Sequence, residues 1–139
     1  MPDEIKVRVE IFEDAKDFKR LRQEQESAST AVQYQVRIAR IEIEFPEFDG
    51  SLARNAELRK ELQASFQQLA DERFGSGSVT VEVELRAGSL IVVALLAIGT
   101  GGYKFFKDYE QVHKGARIFA EDLKAARKKI EKIIRKRNG

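Results

Sequence analysis

Cysteine is absent from this chain of 139 residues, and histidine occurs only once. Without cysteine there is no disulfide framework, no thiolate metal site and no thiol catalysis. His113 has no second histidine or cysteine with which to hold a metal, and we interpret it as a surface or flank residue of a helix. No serine lies in a nucleophile-elbow context. The sequence therefore predicts a protein that is not an enzyme and that holds no metal and no cofactor.

An apolar leader is also missing at the start of the chain. Met1–Glu4 is acidic, and no hydrophobic run follows it. This pattern predicts that the chain carries no signal peptide and is cytoplasmic.

Charge is unevenly distributed, although the formal net charge is only +2. Residues 114–139 hold ten basic against three acidic residues, a net charge of +7, whereas residues 1–113 hold fifteen against twenty, a net charge of −5. An acidic body with a basic tail favours self-association or an anionic partner.

Alternation of apolar and polar residues predicts three β-strands, over residues 5–12, 32–45 and 79–86. The apolar side chains of the second strand change parity between Ile38 and Ile41, which predicts a bulge near Ala39–Arg40. Arg86–Ser89 is predicted to form a tight hairpin turn into a fourth strand, residues 89–97. The predicted fold is α+β: an antiparallel sheet of about four strands, with a central helix and a long C-terminal amphipathic helix packed on one face.

Helical spacing of apolar residues predicts a central helix over residues 52–74, with Ser51 as its N-cap. Residues 13–30 are highly charged and are interpreted as a weakly amphipathic helix or an ordered connection. We expect the whole chain, residues 1–139, to be a single domain: a sheet-containing body over 5–102 and a long basic amphipathic helix over 103–139.

The C-terminal helix is predicted to run from Tyr103 to about Arg137 without a break at Gly115. Its apolar residues follow a 4-3 heptad spacing, which is typical of a helix that packs on a partner helix. This apolar seam comprises Phe105, Tyr109, Val112, Ala116, Phe119, Leu123, Ala126, Ile130 and Ile133. Such a rod is about 50 Å long, whereas the radius of gyration of a compact domain of this size is about 14 Å. We therefore expect part of the seam to overhang the body and to mediate self-assembly.

Glycines precede this helix, and their position has two interpretations. Gly99, Gly101 and Gly102 lie between a predicted strand and a helix, where phosphates bind in dinucleotide folds. However, Lys104 occupies the position of the third glycine of that motif, and no strand follows the helix. We favour a flexible hinge between the sheet and the helix.

The uniformly apolar run over residues 90–98 allows three interpretations. It fits a central strand that is buried on both faces. It also fits a membrane span over residues 89–106, although Lys104 lies inside that segment. The third interpretation is conditional insertion of this segment into a bilayer, so that the protein is membrane-associated on activation.

Basic residues of the tail are candidates for contact with an anionic partner such as nucleic acid or anionic lipid headgroups. They are Lys124, Arg127, Lys128, Lys132, Arg135 and Lys136. No aromatic residue that could stack on bases is interleaved among them. Glutamates of the strands, Glu42, Glu44, Glu82 and Glu84, are compatible with a carboxylate cluster, but their alternation with basic residues favours a solvated face.

A strand, the Gly88–Ser89 turn, an apolar strand and a long helix that starts at Lys107–Asp108–Tyr109 follow one another over residues 79–125. This arrangement resembles the effector-associated adaptor modules of bacterial conflict systems, including the TRADD-N-like group. The resemblance implies homotypic or heterotypic assembly in antiviral (anti-phage) or programmed-death signalling, sometimes at a membrane.

The function predicted from the sequence is therefore a non-enzymatic interaction module that oligomerises through its C-terminal helix, with another copy or a helix-bearing protein as partner. Two alternatives stay open. One is a membrane-acting effector that inserts residues 89–106, and the other is a nucleic-acid-binding protein that uses the basic helix.

Overall fold

A computed structural model describes residues 6–12, 36–98 and 109–137 of the chain. Its elements, in chain order, are β1 (Lys6–Ile11), β2 (Val36–Asp49), a 3-10 turn (Gly50–Arg54), α1 (Ala56–Phe74), β3 (Val79–Arg86), β4 (Ser89–Ile98), α2 (Tyr109–Ala125) and α3 (Arg127–Arg137). The strands form one antiparallel sheet in the order β1-β2-β4-β3. The predicted α+β class is confirmed. The predicted segment 13–30, Phe105 and the hinge glycines lie outside the described residues.

The apolar strand β4 occupies the middle of this sheet, between β2 and β3. Val92 and Ala94 face the helices and are fully buried, and Val93, on the opposite face, is fully buried as well. Burial on both faces removes the selection for alternating polar residues. The interpretation of residues 90–98 as a central strand is confirmed.

Strand β2 carries the predicted irregularity. Its register against β4 shifts between Arg37 and Ala39, so that Ile38 and Ala39 are both fully buried. A second shift lies between Phe45 and Asp49, around the exposed Pro46, and the strand continues past this proline instead of ending there.

Helix α1 begins four residues later than its predicted start. Asp49 accepts a hydrogen bond from the Ser51 amide and opens the 3-10 turn. Asn55 is the N-cap of α1, and its Oδ1 accepts from the Leu58 amide at 3.0 Å. The prediction of Ser51 as the N-cap is thus wrong, because Asn55 satisfies the free amides at the true start of the helix.

The C-terminal region forms two helical segments instead of one. Helix α2 passes through Gly115 as predicted, and a turn at Ala126 separates it from α3. The i to i−4 hydrogen bonds persist on both sides of this turn, since Ala126 N donates to Asp122 O and Ile130 N donates to Ala126 O. The two segments therefore remain nearly continuous.

The apolar seam lies in the core of this chain over the described residues. Five of its members are at most 1% exposed: Val112, Ala116, Phe119, Leu123 and Ile130. Beyond Ile130 the fully buried position is Ile134, whereas Ile133 is only partly buried. A straight helix drifts by about 20° per heptad relative to a 3.5-residue repeat, which moves the buried position by one residue over several heptads.

Overhang of the seam is not observed over residues 109–137. Helix α1 lies beside the C-terminal segments, with Arg73 at its end bonded to Asp122 and Glu61 near its start bonded to Arg137. The α2–α3 pair therefore runs antiparallel along α1 and is covered by it and by the sheet.

Candidate interaction surfaces

Helix α3 presents a basic face to solvent. Its exposed cations lie opposite the buried Ile130 and Ile134, within an arc of about 120° at 3.6 residues per turn. We define the basic face as Lys128, Lys129, Lys132, Arg135 and Lys136. The acidic residue of α3, Glu131, lies toward the body and is only partly exposed. Glu131 lies just outside this arc, and its Oε2 is 3.9 Å from a guanidinium nitrogen of Arg135.

Ion pairs divide the predicted anionic-partner contacts into two groups. Arg127 bonds Glu131 at 2.7 Å, and Lys124 bonds Glu121 at 3.1 Å, so these two cations are partly neutralised within the helices. Lys128 and Lys132 form no ion pair with any described residue. Within the basic face Arg135 lies 3.9 Å from Glu131 and Lys136 lies 3.4 Å from Glu61. Lys128, Lys129 and Lys132 are therefore the cations of this face that form no ion pair with a described residue.

Contacts with the body hold the basic face in place. The guanidinium carbon of Arg135 lies 5.6 Å from the centre of the Phe48 ring, within the range of a cation–π contact. Arg137 Nε donates to Glu61 Oε2 at 3.1 Å, and Lys136 Nζ lies 3.4 Å from Glu61 Oε1. The basic face is therefore positioned by α1 and β2.

The ion pairs at Glu61 depend on pH. The hydrogen bond from Arg137, aided by the charge of Lys136, lowers the pKa of the Glu61 carboxyl below its ordinary value. A carboxyl whose pKa is lower in the folded state contributes stability at neutral pH, and this contribution is lost as the pH falls through the lowered pKa. The end of α3 is thus most firmly attached to α1 at neutral pH.

The two edges of the sheet differ in how their backbone groups are satisfied. Along β3, Gln67 Nε2 donates to Val79 O and its Oε1 accepts from Val81 N, both at 2.8 Å. Gln63 Oε1 accepts from Val83 N at 3.3 Å. These two side chains, the amide caps, occupy groups that another strand would otherwise bond. Along β1, none of the described residues bonds the outer edge.

We expect Gln67→Leu to lower the free energy of unfolding by about 1–2 kcal/mol, because two partly buried backbone groups lose their partner. Urea denaturation measures this change, and faster amide exchange at Val81 locates it. Gln68→Leu is the matched control, since Gln68 is exposed on the same helix and, among the described residues, bonds only Glu72. Equal effects of the two substitutions would contradict a capping role.

The described residues contain no arrangement of side chains that is typical of a catalytic site. No group of three histidine, aspartate or glutamate residues there could hold a metal ion. The strand glutamates are separated by β4, because Val93 lies between Glu42 and Glu84 in the sheet register. His113 is half-buried on α2. Within the same residues, no helix combines the length and apolarity needed to cross a membrane.

A groove of about 520 Å³ is lined by residues of β1, β2 and β4 and by Lys124 of α2. Its lining comprises Lys6, Val7, Arg8, Glu42, Glu44, Ile91 and Lys124. Strand β1 therefore lines this groove, and the basic face of α3 is exposed to solvent.

Comparison with protein-family models, curated proteins and solved structures gave no match for this chain.

Proposed function

We propose that this chain is a non-enzymatic interaction module that binds an acidic protein surface through the basic face of α3. The observation that carries the proposal is the arrangement of five exposed cations on one arc, fixed to the body by Arg135 and Arg137. Association through such a face is steered by long-range attraction and needs no change in the fold.

The other modes predicted from the sequence require a rearrangement of the folded chain. Self-assembly through the apolar seam requires α2 and α3 to leave the core, which would expose Phe119 and Leu123 to water. Insertion of residues 89–106 into a membrane requires β4 to leave both neighbouring strands. These costs favour the basic face as the surface that acts in the folded state.

An acidic protein fits the basic face better than nucleic acid or lipid. The face has no aromatic side chain for stacking on bases. Interfacial helices insert an apolar side into the headgroup region, but the apolar side of α3, Ile130 and Ile134, is buried in the core. An adaptor role in bacterial defence, as the resemblance implies, is consistent with recognition of an acidic protein.

The test is binding of fluorescent poly-L-glutamate to the full chain, measured by anisotropy at several salt concentrations. We expect K128E/K132E to weaken binding at least about tenfold and to lower the salt dependence, because two cations at the centre of the face are reversed. The control K60E/K114E makes the same change in net charge at exposed lysines of α1 and α2.

Equal weakening by the control would show that net charge, not the basic face, determines binding and would overturn the proposal. Tighter binding of duplex DNA or of vesicles rich in phosphatidylserine, with the same loss in K128E/K132E, would assign the face to a different class of partner and would also overturn it.

A further inference from the structure

The outer edge of β1 has a defined set of backbone groups that no described residue bonds. Phe12 N donates to Ile38 O, and the register of β1 against β2 is constant from Lys6 to Ile11. In an antiparallel pair, alternate residues bond the neighbouring strand. The even-numbered residues of β1 therefore face β2. Val7, Val9 and Ile11 direct their N–H and C=O groups away from the sheet.

The opposite edge of the sheet, at β3, supports this alternation of inward and outward backbone groups. When the alternation is followed through the registers of β2, β4 and β3, the odd-numbered residues of β3 direct their backbone groups away from the sheet. The amide caps bond Val79, Val81 and Val83, which are three of those residues. The assignment of outward groups along β1 rests on the same geometry.

We infer that a second copy of this chain adds its own β1 antiparallel to this edge, about a two-fold axis at Val9. The outward groups then form hydrogen-bonded pairs between Val9 and its counterpart and between Val7 and Ile11. The dimer contains one continuous sheet of eight strands, four from each copy. This contact is separate from the basic face and goes beyond the proposed function.

Charge complementarity selects this register. With the axis at Val9, Arg8 of each copy lies opposite Glu10 of the other, which gives two opposite-charge pairs on the exposed face of the sheet. An axis at Arg8 places two guanidinium groups opposite each other, and an axis at Glu10 places two carboxylates opposite each other. Neither Arg8 nor Glu10 forms an ion pair with a described residue, although in the register of β1 against β2 Arg8 lies opposite Glu42 and Glu10 opposite Arg40.

Apolar burial favours the same contact. Val7, Val9 and Ile11 are only partly buried at the edge, although they pack against the core of the sheet. In the dimer, Val7 lies beside Ile11 of the second copy, and the two Val9 side chains are adjacent.

The amide caps limit the assembly to two copies. After the β1 edges pair, the sheet ends at β3 on both sides, where Gln63 and Gln67 occupy the backbone groups. Because an isologous contact about a two-fold axis is closed, we expect a dimer and no larger polymer.

Sedimentation velocity of the full chain over a range of concentrations tests the inference. The wild-type chain is expected to form a concentration-dependent dimer. R8E and E10R each place like charges opposite each other in a homodimer, and each is expected to weaken dimerisation about tenfold or more. An equimolar mixture of the two variants restores opposite charges in both pairs and is expected to dimerise again.

Val9→Pro is a second variant. It removes the central outward donor, while Val9 N is not needed for the bonds to β2, so an edge position tolerates proline. We expect a folded monomer by circular dichroism and sedimentation. Amide exchange at Val7, Val9 and Ile11 is expected to slow as the wild-type concentration rises.

Three results would overturn the inference: a wild-type chain that stays monomeric at every concentration, a dimer that R8E and E10R leave unchanged, or a mixture of these variants that stays monomeric. K128E/K132E should leave dimerisation unchanged. The two experiments therefore distinguish a failure of dimerisation through β1 from a failure of acidic-partner binding through the basic face.

Discussion

Phe119→Ala is expected to lower the free energy of unfolding by about 3–5 kcal/mol, the range for truncation of a fully buried phenylalanine. Phe119 is completely buried, and its ring centre lies 6.0 Å from that of Phe74 at the end of α1. Removal of the ring leaves a cavity between α2 and α1 that the surrounding side chains only partly fill. Urea denaturation monitored by circular dichroism measures the change.

Ile118→Ala is the matched control for this prediction. Ile118 is the adjacent residue of α2, but its side chain is 44% exposed. Surface substitutions of this kind usually change stability by about 0.5 kcal/mol or less. If Phe119→Ala left unfolding unchanged and instead dissociated an oligomer, the apolar seam would be an interface between copies and not part of this chain's core.

Gly50→Ala is expected to cost about 1–3 kcal/mol, the range for overpacking of a tightly packed site. A Cβ atom at Gly50 would lie 2.4 Å from the carbonyl oxygen of Gly88 and 2.8 Å from its amide nitrogen. Both are backbone atoms of the β3–β4 turn, where Gly88 has a φ of +124°. The 3-10 turn and the hairpin turn must therefore move apart to accommodate a methyl group.

Gly77→Ala is a comparison in which the same methyl group meets no steric obstacle. Gly77 has a φ of +76°, and a Cβ atom there would meet nothing within 4 Å. The expected cost is about 1 kcal/mol, from the left-handed backbone alone. Thermal and urea denaturation of both variants check the difference. If Gly77→Ala lowered the free energy of unfolding more than Gly50→Ala, the close approach of Gly50 to Gly88 would contribute little to the cost of the Gly50 substitution.

The strands could be predicted because their signals are local. Alternation at Val79–Arg86 reports which side chains face the core, and the change of parity after Ile38 requires an extra residue in the strand. The turn at Gly88 was predicted correctly as well. The start of α1 was not, because Ser51 and Asn55 are both acceptable N-caps and only the 3-10 turn distinguishes them.

The candidate surfaces were predicted less completely than the strands. The basic residues were identified, but in the sequence they form one set of six along a single long helix, and paired cations were not distinguished from exposed ones. Packing of Ile130 and Ile134 restricts the exposed cations to one face and directs Arg127 toward Glu131. The amide caps were not found, since Gln63 and Gln67 lie in α1 while their partners lie in β3.

Local periodicity by itself determined that this chain contains antiparallel strands, an apolar central strand and a C-terminal segment with an apolar seam. Only the tertiary structure decided what covers that seam. A heptad spacing shows that a helix has an apolar side, but the free energy of burial is the same whether a second copy or the chain's own sheet excludes water. Here α1 and the sheet cover residues 112–134, so the seam stabilises the fold. The basic face and the edge of β1 are the surfaces that we propose for partners.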